Sequence, residues 1–173
     1  MLRVTRKRVV GTTSALTVLV ASILVGATMA WATKGPVVHH VSVGSPDPCI
    51  AFGFEHPGCD ANFSLVANQY ADGSVSGQYT DRFANGNGFH AEVDCLVVSG
   101  DDAWISGVIT QGRFEDFDLA GLEVLARVRD NGTSANDPPD QISFSFIDTA
   151  LPDCTEQPDL PLFDTPQGQV TIR

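Results

Sequence analysis

Positive charge is scarce in this 173-residue sequence. Four of its 10 lysines and arginines (Arg3, Arg6, Lys7 and Arg8) lie in the first eight positions, and no acid lies before residue 33. From residue 33 onward six cations face 21 acids, a net charge of −15. Nucleic-acid binding needs lysine and arginine clusters to neutralise phosphates, so nucleic acid is excluded as a partner. Adsorption to an anionic membrane is disfavoured for the same reason. Other absences narrow the chemistry. There is no G-x-S-x-G nucleophile elbow, no C-x-x-C pair and no histidine at zinc-finger spacing. No long stretch keeps a helical period, which argues against a helical bundle. There is no strong internal repeat.

What is present begins with a leader. The basic start is followed by a mostly apolar run from Ala15 to Ala27 and then Ala30-Trp31-Ala32. A positive segment, a short apolar segment and an A-x-A site predict a secretory signal peptide over 1–32, cleaved after Ala32 or after Ala30. The apolar run is shorter than the ~20 residues a spanning helix needs, so no membrane span is expected after cleavage. The expected location is extracellular. All four cysteines (Cys49, Cys59, Cys95 and Cys154) follow the leader. An even count in an exported chain predicts two disulfides, with three connectivities open.

Residues 33–48, with three prolines and few large apolar side chains, read as an extended or mobile N-terminal arm. Within it His39 and His40 are adjacent, so in an extended segment they point opposite ways and do not chelate one ion. Residues 49–173 read as a single β-domain. Alternating runs over 62–70, 74–83, 88–98, 102–111, 121–130, 141–148 and 167–173 are separated by turn-forming residues. This spacing predicts an all-β antiparallel meander of about seven strands, closed as a small barrel or a two-sheet sandwich.

Pairing Phe83 with Phe89 across Ala84–Gly88 sets Asp81 against Ala91, Tyr79 against Val93 and Gly77 against Cys95. One face is then apolar apart from Asp81, and Cys95 points into the core. The expected core holds Tyr79, Val93, Val97, Val124, Val128, Ile142, Phe144 and Phe146. In the 102–111 run either Ala103, Ile105 and Ile109 or Trp104 and Val108 can face inward; the first set is preferred, leaving Trp104 half exposed. Gly77 and Gly107 mark bends in the sheet.

Two constellations carry candidate chemistry. Arg82, His90, Glu92 and Asp94 share a polar strand face with Thr80. A His-carboxylate group of this kind serves metal binding or acid–base work, while the same pattern is also the solvated side of an amphipathic strand. The second is the segment VRDNGTSANDPPD, which offers Asp130, Asn131, Asp137 and Asp140 as calcium ligands. It departs from the EF-hand pattern, because Gly132 stands where a second acidic ligand belongs. A plain connection is the preferred account: Asn131-Gly132 turns the chain, Pro138-Pro139 extends it, and the aspartates cap local amides. No other cofactor is implied.

Several stretches together resemble a family of small bacterial secreted β-domains, found alone or as C-terminal modules of extracellular proteins. They are Phe52-Gly53-Phe54, Gly77-x-Tyr79-x-Asp81, His90-x-x-Val93-Asp94-Cys95-Leu96-Val97-Val98-x-Gly100, Val128-Arg129-Asp130-Asn131-Gly132, Pro139-Asp140, Cys154 and Gly168-x-Val170-x-Ile172. The resemblance spans roughly Phe52 to Arg173 and implies a fold, not an activity. It also implies a disulfide between Cys95 and Cys154. Cys49 and Cys59, flanking the Pro57-Gly58 turn, then form the second. The expected role is a non-catalytic extracellular binding or structural domain whose ligand is an extracellular molecule or envelope component. The alternatives are a calcium-stabilised surface or adhesion module and a small hydrolase or isomerase built in a barrel mouth.

Overall fold

The computed structural model describes residues 34–46, 62–83, 86–134, 136–165 and 167–173. Alternation of apolar and polar residues builds eleven strands there. They are β1 (Val37–Pro46), β2 (Asn62–Tyr70), β3 (Val75–Arg82), β4 (Gly88–Ser99), β5 (Asp102–Phe114), β6 (Phe117–Asp118), β7 (Glu123–Arg129), β8 (Gln141–Ile142), β9 (Phe146–Asp148), β10 (Phe163–Asp164) and β11 (Gln169–Ile172). They form one antiparallel sheet in the order β10-β8-β7-β5-β4-β3-β2-β1-β11, with β6 on β5 and β9 on β7. The sheet curls into a half-barrel around Leu65, Tyr79, Ile105, Ile109, Val124, Val128 and Ile142. The all-β antiparallel reading holds, with eleven strands in place of seven.

The additional strands have identifiable causes. Of the expected arm over 33–48, Val37–Pro46 form a strand and not a loose segment: Val41 and Val43 alternate inward, so β1 pairs along its length with β2 and, from Val41 to Gly44, with β11. His40 is half-buried and bonds Asn68 through Nδ1 at 2.8 Å. The 141–148 run breaks at Ser143, which is buried. Its hydroxyl oxygen accepts from the Arg127 amide at 2.9 Å while its own amide donates to the Arg127 carbonyl at 2.8 Å. Beyond that break Phe144 and Phe146 are half-buried, not central core, and Phe144 stacks against Phe163 at 5.0 Å.

The β3–β4 register is two residues from the expected one. The Phe83 amide closes on the Asn87 carbonyl at 3.0 Å, so Asp81 pairs with Phe89, Tyr79 with Ala91 and Gly77 with Val93. A two-residue slip preserves the side-chain faces, which is why Tyr79 and Val93 still point inward. The parity does change farther along β4. Val93 pairs with Gly107 and Cys95 with Ser106, leaving Asp94 as the extra residue of a bulge. Leu96 therefore turns inward at 2% exposure, and Cys95 and Val97 move to the outer face.

That outer face carries a second cluster of Trp104, Leu125 and Cys154, joined by Cys95, Val97, Leu151 and Leu160. Trp104 is 6% exposed, not half exposed, because the chain after β9 lies over it. Its Nε1 donates to the Pro158 carbonyl at 2.8 Å, and Cys154 is disulfide-bonded to Cys95 with Cα atoms 6.3 Å apart. Cys49 and Cys59 lie outside the described residues. Arg127 stacks over Trp104 at 5.1 Å and bonds Asp102 at 3.0 Å and Asp159 at 2.9 Å, while Arg129 holds Asp102 at 2.8 Å. Burial pushes the Asp102 carboxyl upward, but hydrogen bonds and charge from Arg129 and Arg127 outweigh it and hold it below the usual carboxylate range.

The bend glycines do what their positions require. A Cβ on Gly107 would stand 2.1 Å from the Glu92 carbonyl oxygen, and one on Gly77 would stand 2.0 Å from that of Val66. Among the described residues no helix is long and apolar enough to cross a membrane.

Candidate functional site

The loop between β7 and β8 brings three of the four candidate calcium ligands together, as acceptors and donors of protein hydrogen bonds. Asp130 accepts from Gly132 N on Oδ1 and from Ile172 N on Oδ2, both at 3.0 Å. Asp140, buried, accepts from Asn131 N at 2.8 Å on Oδ1 and from Val170 N at 2.6 Å on Oδ2. The Asn131 side chain donates to the Pro139 carbonyl at 2.6 Å. Asp137 sits apart on the exposed arc and caps Ser134 N at 2.8 Å. The local capping was legible in the sequence. The long reach to β11 was not: Val170 and Ile172 are alternate residues, so their amides leave the same edge of β11, and Asp140 and Asp130 meet them in turn.

Among the described residues, one set of His, Cys, Asp or Glu ligand atoms lies within 4.8 Å of one another: Cys95, Asp153 and Cys154. Two of those three are the disulfide.

The corrected register divides the polar strand face. Across β3, β4 and β5, Arg82 faces Gly88 and Gly88 faces Arg113; the next row is Thr80, His90 and Gln111. His90 bonds Thr80 Oγ1 through Nδ1 at 2.8 Å. His90 thus lies opposite Thr80 and not Arg82, and Glu92 lies opposite Gln78, two pairs from Arg82. Arg82 and Glu92 form no ion pair among the described residues. Arg82, His90 and Arg113 border an open trough of about 590 Å³.

The bulge carries Asp94 away from this group, into a second pocket of about 470 Å³ beside the disulfide, where Glu123 and Asp153 are its neighbours. Burial raises the Asp94 pKa above the usual carboxylate value, and the charges of Glu123 and Asp153 add to the rise. Both neighbours already serve the backbone. Glu123 accepts from Leu151 N at 3.2 Å, and Asp153 caps the 3-10 turn Cys154–Glu156 through Thr155 N at 2.8 Å. Sequence reading missed this pocket because its acids lie on three segments joined only by the fold.

Inside the curl, Tyr79 and Ser145 share a hydroxyl–hydroxyl bond, and the Ser145 hydroxyl donates to the buried Asp81 carboxylate. Phe63, Tyr79 and Phe89 pack around this group with ring centroids 4.8 and 5.0 Å apart. The interior is occupied by side chains at this level, so the inward Asp81 is a buried polar anchor. Compared with family models, curated proteins and solved structures, the chain matches none of them.

Proposed function

We propose that the chain is an exported, non-catalytic β-module that binds an extracellular molecule or a component of the cell envelope, as in the small bacterial secreted β-domains it resembles. One observation carries the reading: the concave side of the sheet is filled by large side chains such as Tyr79, Leu65 and Ile105, while the open surface lies on the outer face at Arg82, His90 and Arg113. A catalytic barrel presents its acids and bases in a mouth that substrate enters. Here Arg82, His90 and Arg113 stand on an open strand surface. The basic leader and its A-x-A site support export.

The calcium-stabilised alternative would need Asp130 and Asp140 to exchange backbone amides for an ion, and their present partners favour a structural role. The test has two parts. Expression of the full chain in a bacterial host should yield exported protein beginning at Thr33, and the processed protein should turn over no ester, glycoside or peptide substrate. Activity abolished by His90→Ala would overturn the non-catalytic reading, and retention of the leader in the cytoplasm would overturn export.

A further inference from the structure

We propose that the trough across β3, β4 and β5 binds an acidic polysaccharide, with Arg82 and Arg113 receiving its carboxylates. The inference rests on the reading of the chain as an exported binding module and names the ligand class of that module.

The six cations after the leader are unevenly committed. The Lys34 ammonium lies over the Tyr70 ring at 4.9 Å. Arg127 and Arg129 are held by Asp102 and Asp159. Arg173 follows β11, its backbone paired with His40. Among the described residues the side chains of Arg82, Arg113 and Arg173 have neither ion pair nor hydrogen-bond partner. In a segment of net charge −15, two of these three uncommitted guanidinium groups, those of Arg82 and Arg113, share one row of one sheet face.

Their separation is set by the sheet. Their Cα atoms stand two strand spacings apart, roughly 9.6 Å. Between them is Gly88, which offers no side chain to divide the trough. Its φ of +133° and a 2.4 Å approach of any Cβ to the Asp81 carbonyl hold that position to glycine. The gap is therefore written into the backbone, and both arginine forks can turn toward a ligand lying over it. Guanidinium groups bind carboxylates through two parallel hydrogen bonds, which makes the pair selective for planar anions.

The surroundings distinguish a sugar polymer from other anions. The next row, Thr80, His90 and Gln111, supplies hydroxyl, imidazole and amide groups suited to a hydroxyl-rich ligand. The trough is shallow and open, as a chain segment requires. A flat anionic lipid surface would meet the chain's acid excess over a wide area, whereas a single polymer strand meets only the trough. Asp118 stands opposite Arg113 across β5 and β6, and the Glu115 amide bonds the Asn87 side chain at the trough's border, so binding should be weak, with Kd on the order of 1 mM.

The experiment is an ¹⁵N-resonance titration of the chain after leader removal with tetragalacturonate. Saturable shifts confined to Gly88, His90, Gln111 and the two arginines are expected, weakening as salt rises. The double variant Arg82→Gln, Arg113→Gln alters only exposed side chains and should keep a dispersed spectrum while losing affinity at least about tenfold. Maltotetraose, which is neutral, should produce no shifts, and phosphatidylglycerol vesicles should not retain the protein. The proposal is overturned by absent shifts, by shifts centred elsewhere, by equal response to maltotetraose, by full affinity in the double variant, or by vesicle binding without tetragalacturonate binding. The sugar signals in the same tube separate the two levels of the argument. Shortened or unsaturated oligosaccharide would overturn the non-catalytic reading and leave the ligand class standing, whereas an intact sugar without binding would do the reverse.

Discussion

The Asp140 carboxylate accepts a hydrogen bond from the amide of Val170 at 2.6 Å, across 30 residues of sequence. With the matching bond from Ile172 to Asp130, it engages the edge of β11 that faces away from β1. That edge would otherwise present unpaired amides, the usual liability of a terminal strand. Two side chains satisfy it where a twelfth strand would.

Removing this latch should be costly. Asp140→Ala leaves the amides of Asn131 and Val170 without their acceptor, each worth about 1–3 kcal/mol when a buried donor loses its partner. The expected loss is about 2–4 kcal/mol in denaturant unfolding, with amide exchange accelerated first at Val170 and Ile172. An unchanged midpoint with protected β11 amides would refute the latch.

The same carboxylates allow calcium to be judged. A ligand that binds only the folded chain adds RT ln(1 + [L]/Kd), about 2.7 kcal/mol at a hundredfold excess. Because Asp130 and Asp140 already serve backbone amides, millimolar calcium and chelator should give melting temperatures within about 1 °C of each other, against about 2–4 °C per kcal/mol for a chain of this size. A large calcium-dependent rise, lost in the Asp130→Ala, Asp140→Ala double variant, would restore the loop as a cation site.

The tail over the outer face can be followed optically, since Trp104 is the sole tryptophan after residue 33. Cys154→Ala removes the disulfide that pins residues 151–160 above it. Its emission should shift to the red and the melting temperature fall, consistent with the about 2–5 kcal/mol typical of native disulfides. Cys59→Ala should cost less and leave the emission unmoved. Equal losses from the two variants would mean the tail is held by Arg127 and the Pro158 contact more than by the sulfur bridge.

Two aspartates should respond to acid in opposite directions. Asp94 has a folded pKa above its unfolded value, so its contribution is present below the unfolded pKa of about 3.9 and is lost as pH rises through the folded value. Charged Asp94 therefore opposes folding at neutral pH. Asp94→Asn should raise the melting temperature at pH 7, with the advantage fading toward pH ~3. Asp102 has a lowered folded pKa, so its contribution is present above the unfolded value and lost as pH falls through the folded one. Asp102→Asn should lower the melting temperature at pH 7 and converge with the parent in acid. Parallel pH profiles for either variant and the parent would contradict these assignments.

How much of this was legible in the sequence depended on contrast between the two strand faces. Tyr79, Val93, Val124 and Val128 alternate with polar neighbours, and their inward orientation follows from that alone. In Cys95-Leu96-Val97-Val98 both parities are apolar, so nothing in the pattern reveals the bulge at Asp94 that turns Leu96 inward. Trp104 was ambiguous because its cover comes from residues 151–160, which have no strand period. Val37 to Pro46 carries too little apolar bulk to announce a strand, and its partner β11 lies at the far end of the sequence. The loop acids were visible as a group, but their purpose depends on amides some 30 to 42 residues away.

The pairing of β1 with β11 has a consequence for the order in which the molecule can assemble. Strands β2 to β5 join near neighbours through short turns and can zip as the chain emerges from a ribosome or a translocation channel. The contact between Val41 and Ile172 spans almost the whole described chain, and the Asp130 and Asp140 bonds depend on the same late strand. Until those last residues arrive, β1 keeps one edge bare. Long-range closure of this kind is slow, and the waiting edge can recruit another copy of the chain. The final strand therefore sets when newly made molecules stop being hazardous to one another.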